Sequence, residues 1–169
     1  MKLALALLLG LAIAGSAAKA AEIDLGAALP NVQSVDQNGK PVDLVAEGGK
    51  GLTLVYFYPK ADTPGCTKQA CSIRDGWTKL KAKGIRVFGV SGDQVVDQKA
   101  FEEKYHLPFP LLADPQNKVM DAFGVPHKGQ YAQREAFLFK DGKLVWRDTH
   151  AATEKQADDV LKAVESLSK

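Results

Sequence analysis

The sequence predicts an α/β fold, a central mixed sheet flanked by helices on both faces, with a β-hairpin at its amino-terminal side. Three observations carry that expectation. Leu52 to Tyr58 is a nearly continuous apolar run rich in β-branched and aromatic residues, as expected of a strand buried on both faces of a sheet, and Ile85 to Val90 reads as a second such strand. Segments with helical apolar spacing alternate with these strands, the order that places helices over a sheet. Turn signals at Asp36-Gln37-Asn38-Gly39 and at Asp141-Gly142 mark two hairpins.

In chain order, Val32 to Val45 forms the first hairpin, and Gly48, Gly49 and Gly51 form a loop before the strand at Leu52. Pro59 to Gly65 is a second loop. From Cys66 the pattern is helical: Ala70, Ile73, Trp77 and Leu80 make one apolar stripe, ended by Gly84 after Lys79, Lys81 and Lys83. Asp93 is placed to cap a helix ending near Tyr105. A short strand at Phe109 to Leu112 and a short helix at Asn117 to Phe123 follow. Ala136 to Phe139 and Leu144 to Trp146 flank the Asp141-Gly142 turn. Thr153 and Gln156 have the spacing of a capping box, ahead of a helix burying Val160, Leu161, Val164 and Leu167. A thioredoxin-like arrangement fits this order best. A flavodoxin-like sheet stays open on pattern alone, although its parallel sheet has no use for the hairpin at Asp141-Gly142.

Residues 1–20 read as an address. Lys2 is followed by an apolar run from Leu3 to Ala14, and Ala18-Lys19-Ala20 has the small-x-small form of a cleavage site. The run falls short of the about 20 apolar residues that span a bilayer. The expectation is a secretory signal peptide over 1–20, removed to leave one domain, 21–169, exported to a periplasm and free of the membrane. The formal charge of +2 sits in that segment: Lys2 and Lys19 are its only charged side chains, and the rest balances 20 basic against 20 acidic residues. Such a balance argues against nucleic-acid binding through a basic surface. With 46% hydrophobic residues the chain is not disordered.

The segment Tyr56 to Cys71 carries the chemistry. A buried strand ends, a polar loop follows, and Cys66 falls in the first turn of a helix. Unpaired N–H groups and the positive end of the helix dipole favour a thiolate there, so a lowered pKa and a reactive Cys66 are expected. Thr63 can offer a hydroxyl, while Pro59 and Pro64 stiffen the loop. Cys71 lies five residues on. An intact helix would hold the two Cα atoms roughly 8.6 Å apart, whereas a disulfide needs about 4.4–6.8 Å. The pair can bond only if the first turn unwinds. A static disulfide would close a loop of about six residues and break the helix whose stripe needs burial. His106, His127 and His150 have no paired spacing, so no metal and no other cofactor is expected.

These residues resemble the active-site signature of the peroxiredoxins, Pro-x-x-x-Thr-x-x-Cys, here Pro59, Thr63 and Cys66. The Pro-Gly-Cys-Thr run and the second cysteine five residues later resemble the bacterioferritin comigratory protein, or PrxQ, subfamily. The similarity continues through Asp75, Leu80, Gly84, Val87 to Ser91, Phe109 to Asp114, Phe123-Gly124-Val125 and Asp141-Gly142. The resemblance implies a thioredoxin-like fold and a peroxidase that reduces hydrogen peroxide and organic hydroperoxides. It implies Cys66 as peroxidatic and Cys71 as resolving cysteine, Pro59 shielding the site, and Thr63 and Arg134 holding the thiolate and the peroxide oxygen. The cycle would pass through a Cys66 sulfenic acid and a Cys66–Cys71 disulfide, recycled by a thioredoxin-like protein, and the enzyme would be a monomer. Ala136 stands where the family usually has Ser or Thr, and the stretch from Phe123 to Arg134 is shorter than usual. Two other classes fit a cysteine pair: a disulfide oxidoreductase, which would use Cys-x-x-Cys, and a redox sensor signalling by the same unwinding.

Overall fold

The computed structural model describes residues 22–167. A seven-stranded mixed sheet forms its centre. The N-terminal hairpin is β1 (Gln33–Val35) and β2 (Pro41–Asp43), and Asp43 caps the one-turn helix α1 (Leu44–Gly48) by accepting from Ala46 N–H at 2.9 Å. Next come β3 (Leu52–Phe57), α2 (Pro64–Asp75), α3 (Trp77–Ala82), β4 (Ile85–Ser91), α4 (Val95–Tyr105), β5 (Leu111–Ala113) and α5 (Lys118–Phe123). A small separate hairpin, β6 (His127–Lys128) and β7 (Tyr131–Ala132), precedes β8 (Glu135–Lys140), β9 (Lys143–Asp148) and α6 (Gln156–Ser166).

The sheet order is β2-β1-β5-β4-β3-β8-β9. β3, β4 and β5 are parallel, as βαβ crossovers require, while β8 runs antiparallel to β3 and β9 to β8. Asp141 and Gly142 both take the left-handed backbone, φ 49° and 73°, which lets the two-residue turn follow the strand twist. Side chains of β3 alternate between two cores. Leu54, Tyr56 and Tyr58 pack with Ala70, Ile73, Leu80, Phe101 and Val160 of the covering helices. Val55 and Phe57 pack with Phe88, Met120, Phe123, Phe137 and Phe139 on the other face. Among the described residues no helix is long and apolar enough to cross a membrane.

Several local expectations are corrected. The helix expected to run from Cys66 towards Gly84 is two helices divided at Gly76, where a Cβ would stand 2.6 Å from that of Ala157. The close approach of α6 demands glycine there. Asp93 does not cap α4; Gln94 occupies that position, and the Asp93 carboxylate accepts from Ala61 N–H and the Ser91 hydroxyl, both at 2.7 Å. The capping box of Thr153 and Gln156 does not form, because α6 starts at Gln156 itself and Lys155 stands at its cap. α1 takes in the end of the expected first hairpin and Gly48 of the expected loop, and the β6–β7 hairpin falls where the sequence marked no element, since elements this short have too little periodicity to read.

Candidate active site

β3 delivers the chain to Tyr58, which is buried and donates through its hydroxyl to Gln98 of α4. The loop from Pro59 to Thr63 then turns back over the end of the sheet. It is tied at Ala61 by Asp93 and at Asp62, whose left-handed backbone (φ 56°) aims its carboxylate at Lys104 (2.7 Å) and the Tyr105 hydroxyl (2.6 Å). α2 starts at Pro64, where the missing N–H costs nothing. Cys66 is therefore at the third helical position, within the turn whose N–H groups have no intrahelical acceptor.

The sulfur of Cys66 is buried, with the residue 1% exposed. Arg134, just before β8, donates from Nη2 to Sγ at 3.4 Å and from Nη1 to Gln69 Oε1 at 2.5 Å. Gln69 donates from Nε2 to Gln156 Oε1 at 2.8 Å. The guanidinium is thus fixed by an amide one turn beyond the sulfur it faces. Gly65 makes room for it, since a Cβ there would sit 3.3 Å from Nη2. Thr63 caps the helix with its backbone, its carbonyl accepting from Thr67 N–H at 2.8 Å, while its hydroxyl donates to the Lys60 carbonyl at 2.9 Å. Pro59 is half-buried at the start of the loop.

Cys71 lies on the same continuous helix, half-buried, and both cysteines are free thiols. Burial pushes the Cys71 thiol above its ordinary value; Arg74 offsets part of this and Asp75 adds to it. Burial also pushes the Tyr56 phenol well up. Glu135 follows Arg134 in the chain. It is fully buried on the opposite face, 3.5 Å from Arg147, and burial against only partial relief from Arg147 pushes its carboxyl up to about 7. The short stretch after Phe123 contains the β6–β7 hairpin, which packs Gln130 against Gly92 and brings the Tyr131 ring 5.9 Å from Lys60 Nζ at the loop. Ala136 is buried opposite Tyr56 across the β3–β8 ladder.

Of the residues singled out in the sequence, Cys66 and Arg134 are in contact, Thr63 stands at the cap of the helix that carries Cys66, Pro59 lies at the start of the loop before it, and Cys71 stands further along α2. Sequence reasoning missed Gln69 and its link to Gln156. Gln69 has no local signal and that of Gln156 points to a cap instead, although both are buried, a rare state for glutamine without a partner. Among the described residues no group of three or more His, Cys, Asp or Glu could hold a metal ion.

Residues 25–147 match the AhpC/TSA family. The chain belongs to that family. Within AhpC/TSA, it is 43% identical over 152 residues to a chloroplastic peroxiredoxin Q of Sedum lineare, covering 87% of this chain and 81% of the relative. It is 42% identical over 147 residues to the chloroplastic peroxiredoxin Q of Arabidopsis thaliana, covering 84% and 67%. Its fold is similar to the peroxidoxin BcpB of Mycobacterium tuberculosis, with TM-score 0.80 and 30% identity over 86% of this chain and 99% of that one. It is also similar to the Xanthomonas campestris bacterioferritin comigratory protein studied for alkyl peroxide reduction, with TM-score 0.77 and 27% identity over 88% and 99%. This member of AhpC/TSA is a peroxiredoxin of the PrxQ type with a thioredoxin-like fold, a thiol-dependent peroxidase whose activity implies a peroxide substrate and a thioredoxin-like reductant. The periplasmic location expected from residues 1–20 is overturned, because the PrxQ relatives are chloroplastic. The signal peptide read there lies outside the described residues.

Proposed function

We propose that Cys66 is the peroxidatic cysteine and Cys71 the resolving cysteine of a single-domain, monomeric peroxidase spanning residues 21–169, acting on hydrogen peroxide and organic hydroperoxides. The contact between Arg134 and Cys66 Sγ carries the reading. The Cys66 thiolate attacks the distal oxygen of the hydroperoxide. The O–O bond breaks, water or an alcohol leaves with a proton from solvent, and sulfur is oxidised to the sulfenic acid. Charge develops on the leaving oxygen in the transition state. Arg134 and the N–H groups at the start of α2 are the fixed donors that face it. Thr63 joins them by turning its hydroxyl from the Lys60 carbonyl to the oxygen, and Pro59 covers the sulfur.

The first turn of α2 then unwinds. The Cys71 sulfur attacks the Cys66 sulfenic acid, water leaves, and the intramolecular disulfide forms. A thioredoxin-like dithiol reduces it and becomes a disulfide itself, and α2 re-forms. The raised Cys71 thiol supports this division of labour, since at neutral pH it stays protonated and does not compete for peroxide. Peroxide consumption with a dithiol reductant tests the scheme. Cys66→Ser abolishes it. Cys71→Ser keeps one stoichiometric oxidation of Cys66 but loses dithiol recycling and over-oxidises readily. Full turnover by Cys66→Ser would refute the assignment.

A further inference from the structure

Residues 153–157 run along the whole of α2. Thr153 Cγ2 would lie 3.6 Å from a Cβ at Gly65, Glu154 pairs with Lys68 at 2.6 Å, and Gln156 accepts from Gln69 at 2.8 Å. Ala157 N–H donates to Ser72 Oγ at 3.3 Å, and the Ala157 methyl closes against Gly76. Gln69 lies between the two cysteines, so α2 cannot unwind from Cys66 to Cys71 without breaking its bonds. The two glutamines are fully buried, where a hydrogen bond competes little with water. The Lys68–Glu154 pair is exposed and contributes little. The Nε2 of Gln156 has no partner among the described residues, so only its carbonyl oxygen holds α2.

We propose that Gln156 is a positioning residue that latches α2 to α6 through Gln69 and so sets the rate at which the sulfenic acid is converted to disulfide. The proposal rests on the assignment of Cys66 and Cys71 above. With the latch closed, Gln69 holds Arg134 on the sulfur and α2 is helical. With it open, Cys66 can travel to Cys71. The latch therefore decides how long the sulfenic acid survives, and with it the exposure of Cys66 to a second peroxide.

Rapid mixing of reduced protein with hydrogen peroxide, quenched and counted for free thiols, separates the two steps. Gln156→Met keeps the volume but removes the acceptor. Losing one buried hydrogen bond speeds disulfide formation about fivefold, with a similar fall in the over-oxidised fraction at high peroxide. Gln156→Glu keeps the oxygen that Gln69 uses and restores the slow rate when its carboxyl is protonated at mildly acidic pH. Equal disulfide rates in Gln156→Met and wild type overturn the latch. So does equal acceleration by Met and by protonated Glu, which would assign the effect to packing. If peroxide consumes no thiol pair in the wild-type protein, it is the cysteine assignment that fails. Hydrogen exchange of the unaltered protein gives a check that needs no variant. On oxidation the Ala157 amide loses its Ser72 acceptor and exchanges faster, and unchanged exchange there counts against the proposal.

Discussion

The two sulfurs of this peroxiredoxin sit on one helix, five residues apart, in opposite surroundings. Cys66 is almost fully buried at the third helical position, faced by a guanidinium that Gln69 holds in place. Cys71 is half-buried in the body of the helix, between desolvation and Asp75 on one side and Arg74 on the other. If Cys66 is the sulfur that meets peroxide, as proposed above, burial does not make the choice, for the more buried sulfur is the better provided with donors. What differs is whether fixed positive groups are waiting for charge. Position along a helix supplies part of that difference and the strand opposite supplies the rest.

Substitutions on each side probe the contrast. The largest effect belongs to Arg134→Met, which removes the donor from Cys66 Sγ while keeping an unbranched side chain. The second-order rate of Cys66 oxidation, followed by stopped flow, falls about a hundredfold, and a loss below threefold would show that the helix terminus alone distinguishes the sulfurs. Gly65→Ala comes next. Its methyl meets Nη2 at 3.3 Å and displaces the guanidinium without altering any charge. The same rate falls about tenfold if alignment matters as well as proximity.

On the other side the effects are smaller. In Cys66→Ser protein, alkylation of Cys71 titrates above the reference thiol value of 9.0. Asp75→Asn removes one of the groups that raise it, so alkylation at pH 8 quickens about twofold. An unchanged rate would leave burial as the sole cause. Glu135→Gln, on the opposite face of the sheet, leaves both thiol reactions alone and moves only stability. Its carboxyl is raised in the folded protein, so its contribution is complete below pH 4.5 and is lost as pH rises through about 7. Glu135→Gln thus raises the melting temperature at pH 8 by about 2–4 °C, equivalent to about 1 kcal/mol at this size, and leaves it unchanged at pH 4.5.

Features that repeat or punctuate were legible in the sequence. The buried strand from Leu52, the left-handed turn at Asp141-Gly142 and the apolar stripe from Ala70 to Leu80 each announce themselves through local chemistry. Cys66 and Cys71 were legible for the same reason, as rare residues at a meaningful spacing. Features set by tertiary neighbours were hidden. Gly76 divides a helix because α6 passes within a methyl of it, and Asp93 leaves its capping position because Ala61, 32 residues earlier, offers a better-placed N–H. Thr153 and Gln156 spell a cap, yet Gln156 is drawn into the core by Gln69. The Arg134–Gln69–Gln156 chain joins three distant segments, and no local pattern encodes it.

Placing both cysteines on one continuous helix has a kinetic consequence. On the proposed cycle, peroxide meets a helical enzyme with Arg134 in place, and the reductant meets an unwound one from which that site has been dismantled. The two substrates never compete for the same form of the protein. Double-reciprocal plots at several reductant concentrations are then parallel, and a ligand that occupies the peroxide site slows oxidation without protecting the disulfide from its reductant.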